Sequence, residues 1–286
     1  MNLKKVFIIL VAFVFVMPLF AQGMKFRAQV NGGLTLISND DFNQMINGMV
    51  NLSSDIYSGL GYDSYNISGD EISGFFAPDI ELSLQMNSIM AGLKIGVPGT
   101  VTSVFKIEAS DSTFGDTYQE MELRNWAFPI GLNLYYVLNL ADGMNLFIDP
   151  GFEFVSSEIT QEEVKHTEDG VDQTLDDPEV FKGSGIMGIL NVKGEYSFND
   201  MFSVFLGLTG RFGKITGYEG QGDLSGEKLY SFDGTLGGNT YHLWESLTPE
   251  EKSSYEDDST VSNLKEAEIN MNGVAFYLGI ALNFGL

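Results

Sequence analysis

WAFPIGLNLYYVLNLADGMNLFIDPGFEF, residues Trp126–Phe154, keeps one rule over its whole length. Trp126, Phe128, Ile130, Leu132, Leu134, Tyr136 and Leu138 fall on even numbers, between Asn125, Ala127, Pro129, Gly131, Asn133 and Tyr135. A period of two is what a strand with unlike faces requires. Ala141, Asp142 and Gly143 then read as a hairpin loop with Gly143 at the position that needs a positive φ, and Met144, Leu146, Ile148, Pro150, Phe152 and Phe154 resume the even face. That face carries no charge, so water is a poor neighbour for it. Across this turn Tyr135 is expected opposite Asp149.

The same pattern recurs outward from this hairpin. Phe26, Ala28, Val30, Leu34 and Leu36 share one face of a first strand; Phe76, Pro78, Ile80, Leu82, Leu84 and Met86 share one face of a second. Asn87 and Ser88 form a two-residue turn, after which Ile89, Ala91, Leu93, Ile95 and Val97 continue on odd numbers. The change of parity follows because directly opposed residues lie on the same face, so Met86 meets Ile89. Counting back along both strands puts Glu81 opposite Lys94 and Pro78 opposite Val97, and an ion pair is expected between Glu81 and Lys94. Further strands carry Ile186, Leu190, Val192 and Tyr196; Phe202, Val204, Leu206, Leu208 and Phe212; and Val274, Phe276, Leu278, Ile280, Leu282 and Phe284.

Eight strands therefore alternate short turns with long loops, all the long connections falling at one end and both termini at the other. In the first loop Asn39 and Asp40 cap an amphipathic helix of about four turns with Phe42, Met45, Ile46, Met49 and Ile56 on one face. It reads as a lid packed on the barrel rim, or else as a helix lying on a membrane or docking a partner. In the second loop Val104–Glu108 and Tyr118–Leu123 can pair as a hairpin turning at Asp111–Asp116, and inserting that hairpin would make ten strands. The third loop, from about Ser157 to Gly183, is acidic: Glu158, Glu162, Glu163, Glu168, Asp169, Asp172, Asp176, Asp177 and Glu179. The fourth runs from about Gly217 to Asn270, with Thr248, Pro249 and Glu251 starting a short capped helix.

Alternation alone does not separate a soluble barrel from a membrane barrel, so the other face decides. It is small and polar, with Gly33, Gly92, Gly131, Gly151, Gly207 and Gly279, and it carries Lys25, Arg27, Lys94, Lys193 and Arg211 against Asp79, Glu81, Asp149, Glu153 and Glu195. Five cations against five anions suits a closed lumen where every buried charge needs a partner. Strands of about 10 residues fit a membrane barrel, and eight of them enclose only enough space for side chains. The expected fold is thus all-β, an eight-stranded antiparallel transmembrane β-barrel with short periplasmic turns and long extracellular loops. Arg27, Glu81, Lys94, Asp149, Glu153, Lys193, Glu195 and Arg211 form its lumen charge network.

The mature chain resembles the small outer-membrane β-barrel proteins of the OmpA, OmpX and OmpW kind. GVAFYLGIALNFGL at the C-terminus, with Phe284 third from the end, is similar to the terminal strand of that group. The resemblance implies bacterial outer-membrane lipids as surroundings and recognition of Val274–Leu286 by the barrel assembly machinery. It also implies a monomer without the peptidoglycan-binding domain that some relatives append.

Composition agrees. Lys4 and Lys5 precede the apolar run Val6–Phe20 and Ala21, so Met1–Ala21 reads as a signal peptide, with residues 22–286 as the barrel. With no cysteine there is no disulfide framework. The net charge of −24 rules out nucleic acid as an electrostatic partner. His166 and His242, the only histidines, lie among loop acids, where a rim hydrolase or acyltransferase site is conceivable. No Ser, His and Asp spacing supports one and no spaced calcium loop is present, so neither enzyme activity nor a cofactor or metal is expected. Pro78, Pro98, Pro129 and Pro150 remove ladder donors in or beside strands. They read as strand ends and bulges, or as a lateral opening for small apolar solutes. The leading functional expectation is a structural or surface-interaction role through the acidic loops.

Overall fold

The computed structural model describes residues 24–37 and 40–285. The expected signal peptide and the Asn39 cap lie outside them. In chain order the elements are β1 (Met24–Ile37), α1 (Asp40–Leu60), β2 (Ser64–Gly69), β3 (Gly74–Phe76), β4 (Asp79–Met86), β5 (Ile89–Gly96), β6 (Gly99–Asp111), β7 (Gly115–Ala141), β8 (Met144–Glu168) and β9 (Val171–Asp172). Then come β10 (Glu179–Ser197), β11 (Phe202–Phe212), β12 (Lys214–Gly220), β13 (Lys228–Leu236), β14 (Asn239–Leu247), α2 (Pro249–Asp257), β15 (Val261–Glu266), β16 (Ile269–Asn270) and β17 (Gly273–Gly285).

Eight antiparallel positions close a ring: β1, β4, β5, β7, β8, β10, β11 and β17, with β17 returning to β1 from Phe26 opposite Phe284 to Ile37 opposite Gly273. The turn parity holds, since Met86 faces Ile89 and Glu81 faces Lys94. Asn87 supplies the positive φ of its turn at 56° and Gly143 that of the next at 73°. In the second turn Ala141 already faces Met144 and the register slips between Asn139 and Ala141, so the loop proper is Asp142–Gly143.

The second-loop hairpin forms, with Val104 opposite Glu122 and Glu108 opposite Tyr118, without entering the ring. β5 pairs with β7 from Ile89 opposite Tyr136 to Ile95 opposite Ile130, and β6 takes over the same edge of β7 at Gly99 opposite Ala127. Two strands thus use one edge in succession, and the ring stays at eight. The break falls at Pro98, which has no N–H to carry the ladder across.

The ring's outer face is apolar and exposed: Leu132, Leu134, Phe152, Ile186, Leu206 and Leu278 are each more than half open. Its inner face is stratified. Nearest the short turns, Met90, Tyr135, Val137 and Phe147 form a buried apolar floor, each apolar side chain contributing about 1.5–3 kcal/mol by leaving water. The charged layer comes next. Above it Val155, Ile159, Phe181, Met187, Ile215, Tyr218 and Ile269 make a second apolar core.

At the long-loop end the chain differs from expectation. β8 runs on to Glu168 and pairs with β10 as far as Gln161 opposite Glu179, so most of the expected third loop is strand and only residues 169–178 connect. Both outer flanks of β8 there continue the alternation, which lets the ladder extend. The fourth loop likewise holds β12 to β16 and α2. Thr248 and Glu251 form the reciprocal cap expected of them.

α1 is 21 residues long, longer than the four turns expected. Asp40 and Asp41 suit its positive N-terminal end. Gly61 (φ 78°) ends it, with the Tyr62 N–H returning to the Tyr57 carbonyl. Phe42, Met45 and Ile46 are buried with Ile72, Leu123 and Trp244, so the helix is a lid on the rim. It also packs against both β2 and β14, which pair with β6 and β13 on their other sides. A Cβ on Gly48 would overlap the His242 carbonyl on β14, and one on Gly69 would strike Ile46. Covering edges in this way blocks stray strand pairing.

Candidate functional site

All eight residues of the expected charge network line the lumen, seven of them fully buried and Arg211 half-buried. They are brought there by the inward parity of β1, β4, β5, β8, β10 and β11. Lys25, the tenth charge expected there, is exposed at the rim. Inside, therefore, four cations meet five carboxylates.

The register pair Glu81 and Lys94 is not an ion pair, contrary to expectation. Glu81, Lys94, Gly131 and Glu153 stand in one rung across four strands. Gly131 has no side chain, and the Lys94 chain passes over it to bond Glu153. Arg211 shares Glu153 at 3.3 Å and donates to Thr35 at 3.0 Å. Glu81 is satisfied otherwise: it accepts from Tyr135 at 2.6 Å, Gln29 at 2.8 Å and Asn133 at 3.1 Å. Three neutral donors already occupy it, whereas Glu153 depends on its cations.

Arg27 pairs with Glu195. Lys193 donates to Gln29 at 2.8 Å and lies over the rings of Tyr135, Phe147 and Phe205 at 4.5 to 4.9 Å; Arg27 adds to this cation–π cluster over Phe147 at 5.2 Å. Asp149 accepts from Asn191 and from the Leu134 N–H, and Asp79 from Asn31. Tyr135 therefore uses its hydroxyl on Glu81 and not on Asp149. The neutral partners Gln29, Asn31, Asn133, Tyr135 and Asn191 carry no charge pattern to single them out in the sequence. Inward parity was the one signal for them. The glycines of this face serve the same packing, since Gly92 lies beneath the Glu81 carboxylate and Gly207 beneath the Tyr277 ring.

Little space is left. A cavity of about 20 Å³ lies between Gln29, Asn31, Asp79, Glu81 and Asn133. A second of about 30 Å³ lies beyond Asp79, Lys94 and Arg211, against Pro78, Val97 and Pro129. There the wall itself changes. The Val97 N–H still donates to the Pro78 carbonyl at 2.8 Å, and the next bond across is Asp70 N–H to the Val104 carbonyl. Between them β3 pairs with β1 and β6 with β7, and β3 does not pair with β6.

The histidines stand apart in the head. His166 approaches Glu163 at 3.3 Å and Glu168 at 3.5 Å; His242 Nδ1 lies 2.9 Å from Asp233, which also accepts from Asn263 at 2.6 Å. Burial pushes the Asp233 carboxyl up, but the bonds from Asn263 and His242 outweigh it and hold it below the usual range. Among the described residues no serine or threonine hydroxyl bonds either ring, and no cluster of His, Asp and Glu is arranged to hold a metal ion.

A closed antiparallel ring, apolar outside and filled within, defines the class of membrane-spanning β-barrels. No family model matches the sequence, and no curated protein matches it. Among solved structures the chain is similar to the outer membrane protein OprG from Pseudomonas aeruginosa, at 10% identity over 93% of this chain and 97% of that one, with a TM-score of 0.38.

Proposed function

We propose that this barrel resides in the bacterial outer membrane as a non-conducting anchor that presents a rigid acidic head for surface interactions. The observation that carries the reading is the filled lumen: floor, charged layer and upper core, with cavities of about 20 and 30 Å³ beside the charged layer. A site of about 10–15 Å³ already holds one water, so these are spaces for single guests and not a channel. The head, by contrast, is built as extended sheet, with Lys106 on Glu120 at 3.3 Å and Lys182 on Glu158 at 3.3 Å along its outer face. Planar-bilayer recording tests this directly. No steady conductance is expected; stable open-channel current through the purified folded chain would overturn it.

A second reading has one specific observation behind it. The unpaired stretch between β3 and β6 borders the cavity at Pro78, Val97 and Pro129, where a small apolar solute could pass sideways between lumen and lipid. Liposome uptake of an apolar solute, abolished by cross-linking cysteines placed at Phe75 and Thr100, supports that route. Uptake equal to that of empty liposomes removes it. A rim enzyme has less support, because neither histidine holds a nucleophile.

A further inference from the structure

The outer face of the head carries an open groove of about 480 Å³ near its tip. Strand register builds it. Asn66, Glu108, Tyr118 and Thr167 stand in one rung across β2, β6, β7 and β8, and Ser64, Ser110 and Asp116 stand in the next rung toward the tip. Opposed residues share a face, while Ile107 and Ala109, on either side of Glu108, turn the other way into the core beneath α1. Two lysines lie near. Lys106 is held on Glu120 at 3.3 Å, and Lys165 lies 4.6 Å over the Tyr118 ring. Neither lines the groove, so Tyr118 stands between them and a space that no cation faces. Among the described residues no hydrogen bond or ion pair engages the Asn66 amide, the Glu108 carboxylate or the Ser64 hydroxyl. The Asp116 carboxylate is bonded through one oxygen, by Ser110.

We propose that this groove binds a neutral, hydroxyl-rich glycan. The proposal rests on the reading of the head as an interaction surface and names the class of its ligand. The open groups are of both kinds: the Asn66 amide and the Ser64 hydroxyl donate and accept, whereas Glu108 and Asp116 only accept. Sugar hydroxyls also donate and accept, so one sugar ring answers amide and carboxylate together. An ammonium group would use the acceptors alone, and an acidic sugar would meet two carboxylates with no cation to offset them. Tyr118 adds the ring surface that Lys165 does not take, an apolar face for the C–H side of a sugar. The volume falls in the range of about 300–1,000 Å³ usual for ligand sites. Four strands spaced about 4.8 Å apart make the floor roughly 14 Å wide, so a short oligosaccharide lies across them.

The test applies the full chain, folded in detergent, to an array of neutral hexose and N-acetylhexosamine oligosaccharides, with sialylated glycans and polylysine alongside. Binding to a neutral glycan is expected, with a Kd that changes less than about twofold between about 0.1 and about 1 M salt, since there is no ion pair to screen. Tyr118→Ala should weaken it roughly tenfold. Tyr118→Phe keeps the ring and loses only the hydroxyl bond to Glu120, so it should bind as the original chain does; a purely structural role for that bond would make the two variants alike. Asn66→Ala, at an exposed position of β2, tests the site if Tyr118→Ala does not fold and should weaken binding about fivefold. Glu250→Gln on α2 should bind unchanged. Absence of neutral-glycan binding overturns the proposal, as does binding that survives both Tyr118→Ala and Asn66→Ala or is confined to sialylated glycans. Capture of polylysine alone also overturns it while keeping the head as an interaction surface, and open-channel current would overturn the anchor reading whatever the groove binds.

Discussion

The ring and the head are made of the same strands, yet they obey different constraints. In the ring β7 and β8 alternate strictly, with Leu132, Leu134 and Phe152 outside and Asn133, Asp149 and Glu153 inside. Past Trp126 and Glu158 the two strands continue, with one register shift between Glu120 and Met121, but the outward side now carries Arg124 paired with both Glu122 and Glu162. One wall separates an apolar medium from a closed polar core; its extension separates water from packed protein. The ring can tolerate no misplaced charge, while the head can trade one for another.

The largest expected effects of substitution therefore lie in the ring's charged layer. Lys94→Met leaves Glu153 with Arg211 alone, and Glu153→Gln leaves Lys94 without a carboxylate bond; each should cost about 3–5 kcal/mol in urea unfolding if the layer is dry. A double-mutant cycle should find strong coupling between Lys94 and Glu153 and weak coupling between Lys94 and Glu81. The reverse order would show that register neighbours, and not the reach across Gly131, determine the pairing.

The next effect belongs to the head. Gly48→Val drives a side chain into the His242 carbonyl and should cost about 1–3 kcal/mol by overpacking. The prediction is selective: limited proteolysis should cut α1 while the ring keeps its mobility on unheated gels. Loss of both together would mean that head and ring fold as one unit.

Acid should separate the two regions more gently. Hydrogen bonds from Tyr241 and Asn239 hold the Asp55 carboxyl below its ordinary value and tie α1 to β14. A carboxyl depressed by folding adds stability above its unfolded pKa, near 4, and that stability is lost as pH falls through the folded value. Hydrogen exchange in α1 should then quicken below about pH 4 before exchange in the ring does, and Asp55→Asn should remove the pH dependence. The smallest effect is Thr248→Ala, which deletes the α2 cap for about 1 kcal/mol, visible as faster exchange in residues 249–257 and nowhere else.

The same contrast explains what could be read in the chain. Strand parity, the turns at Asn87 and Gly143, and the facing of Glu81 and Lys94 were legible because two unlike media enforce a period of two and a turn transmits it. The head was less legible. Glu158, Glu162 and Glu163 suggested a solvated loop, although strands wetted on one side carry such residues freely. The ion pair was misassigned for a different reason: register fixes where Cα atoms stand, but a lysine reaches past its neighbour when that neighbour is glycine. The aromatic floor under Lys193 and the amide partners of Glu81 depend on side chains meeting across the lumen, which no local spacing encodes.

β7, at 27 residues, and β8, at 25, are each single strands from the short turn to the outer tip. At about 3.3 Å per residue, β7 is roughly 90 Å of continuous extended chain. Mechanically the pair is a mast stepped in the ring. A pull on the head along this direction would not peel hydrogen bonds one after another but would load the whole ladder in shear. The barrel is thus the footing of a stiff lever, and force applied at the tip would be felt at the Asp142–Gly143 turn on the opposite side of the wall.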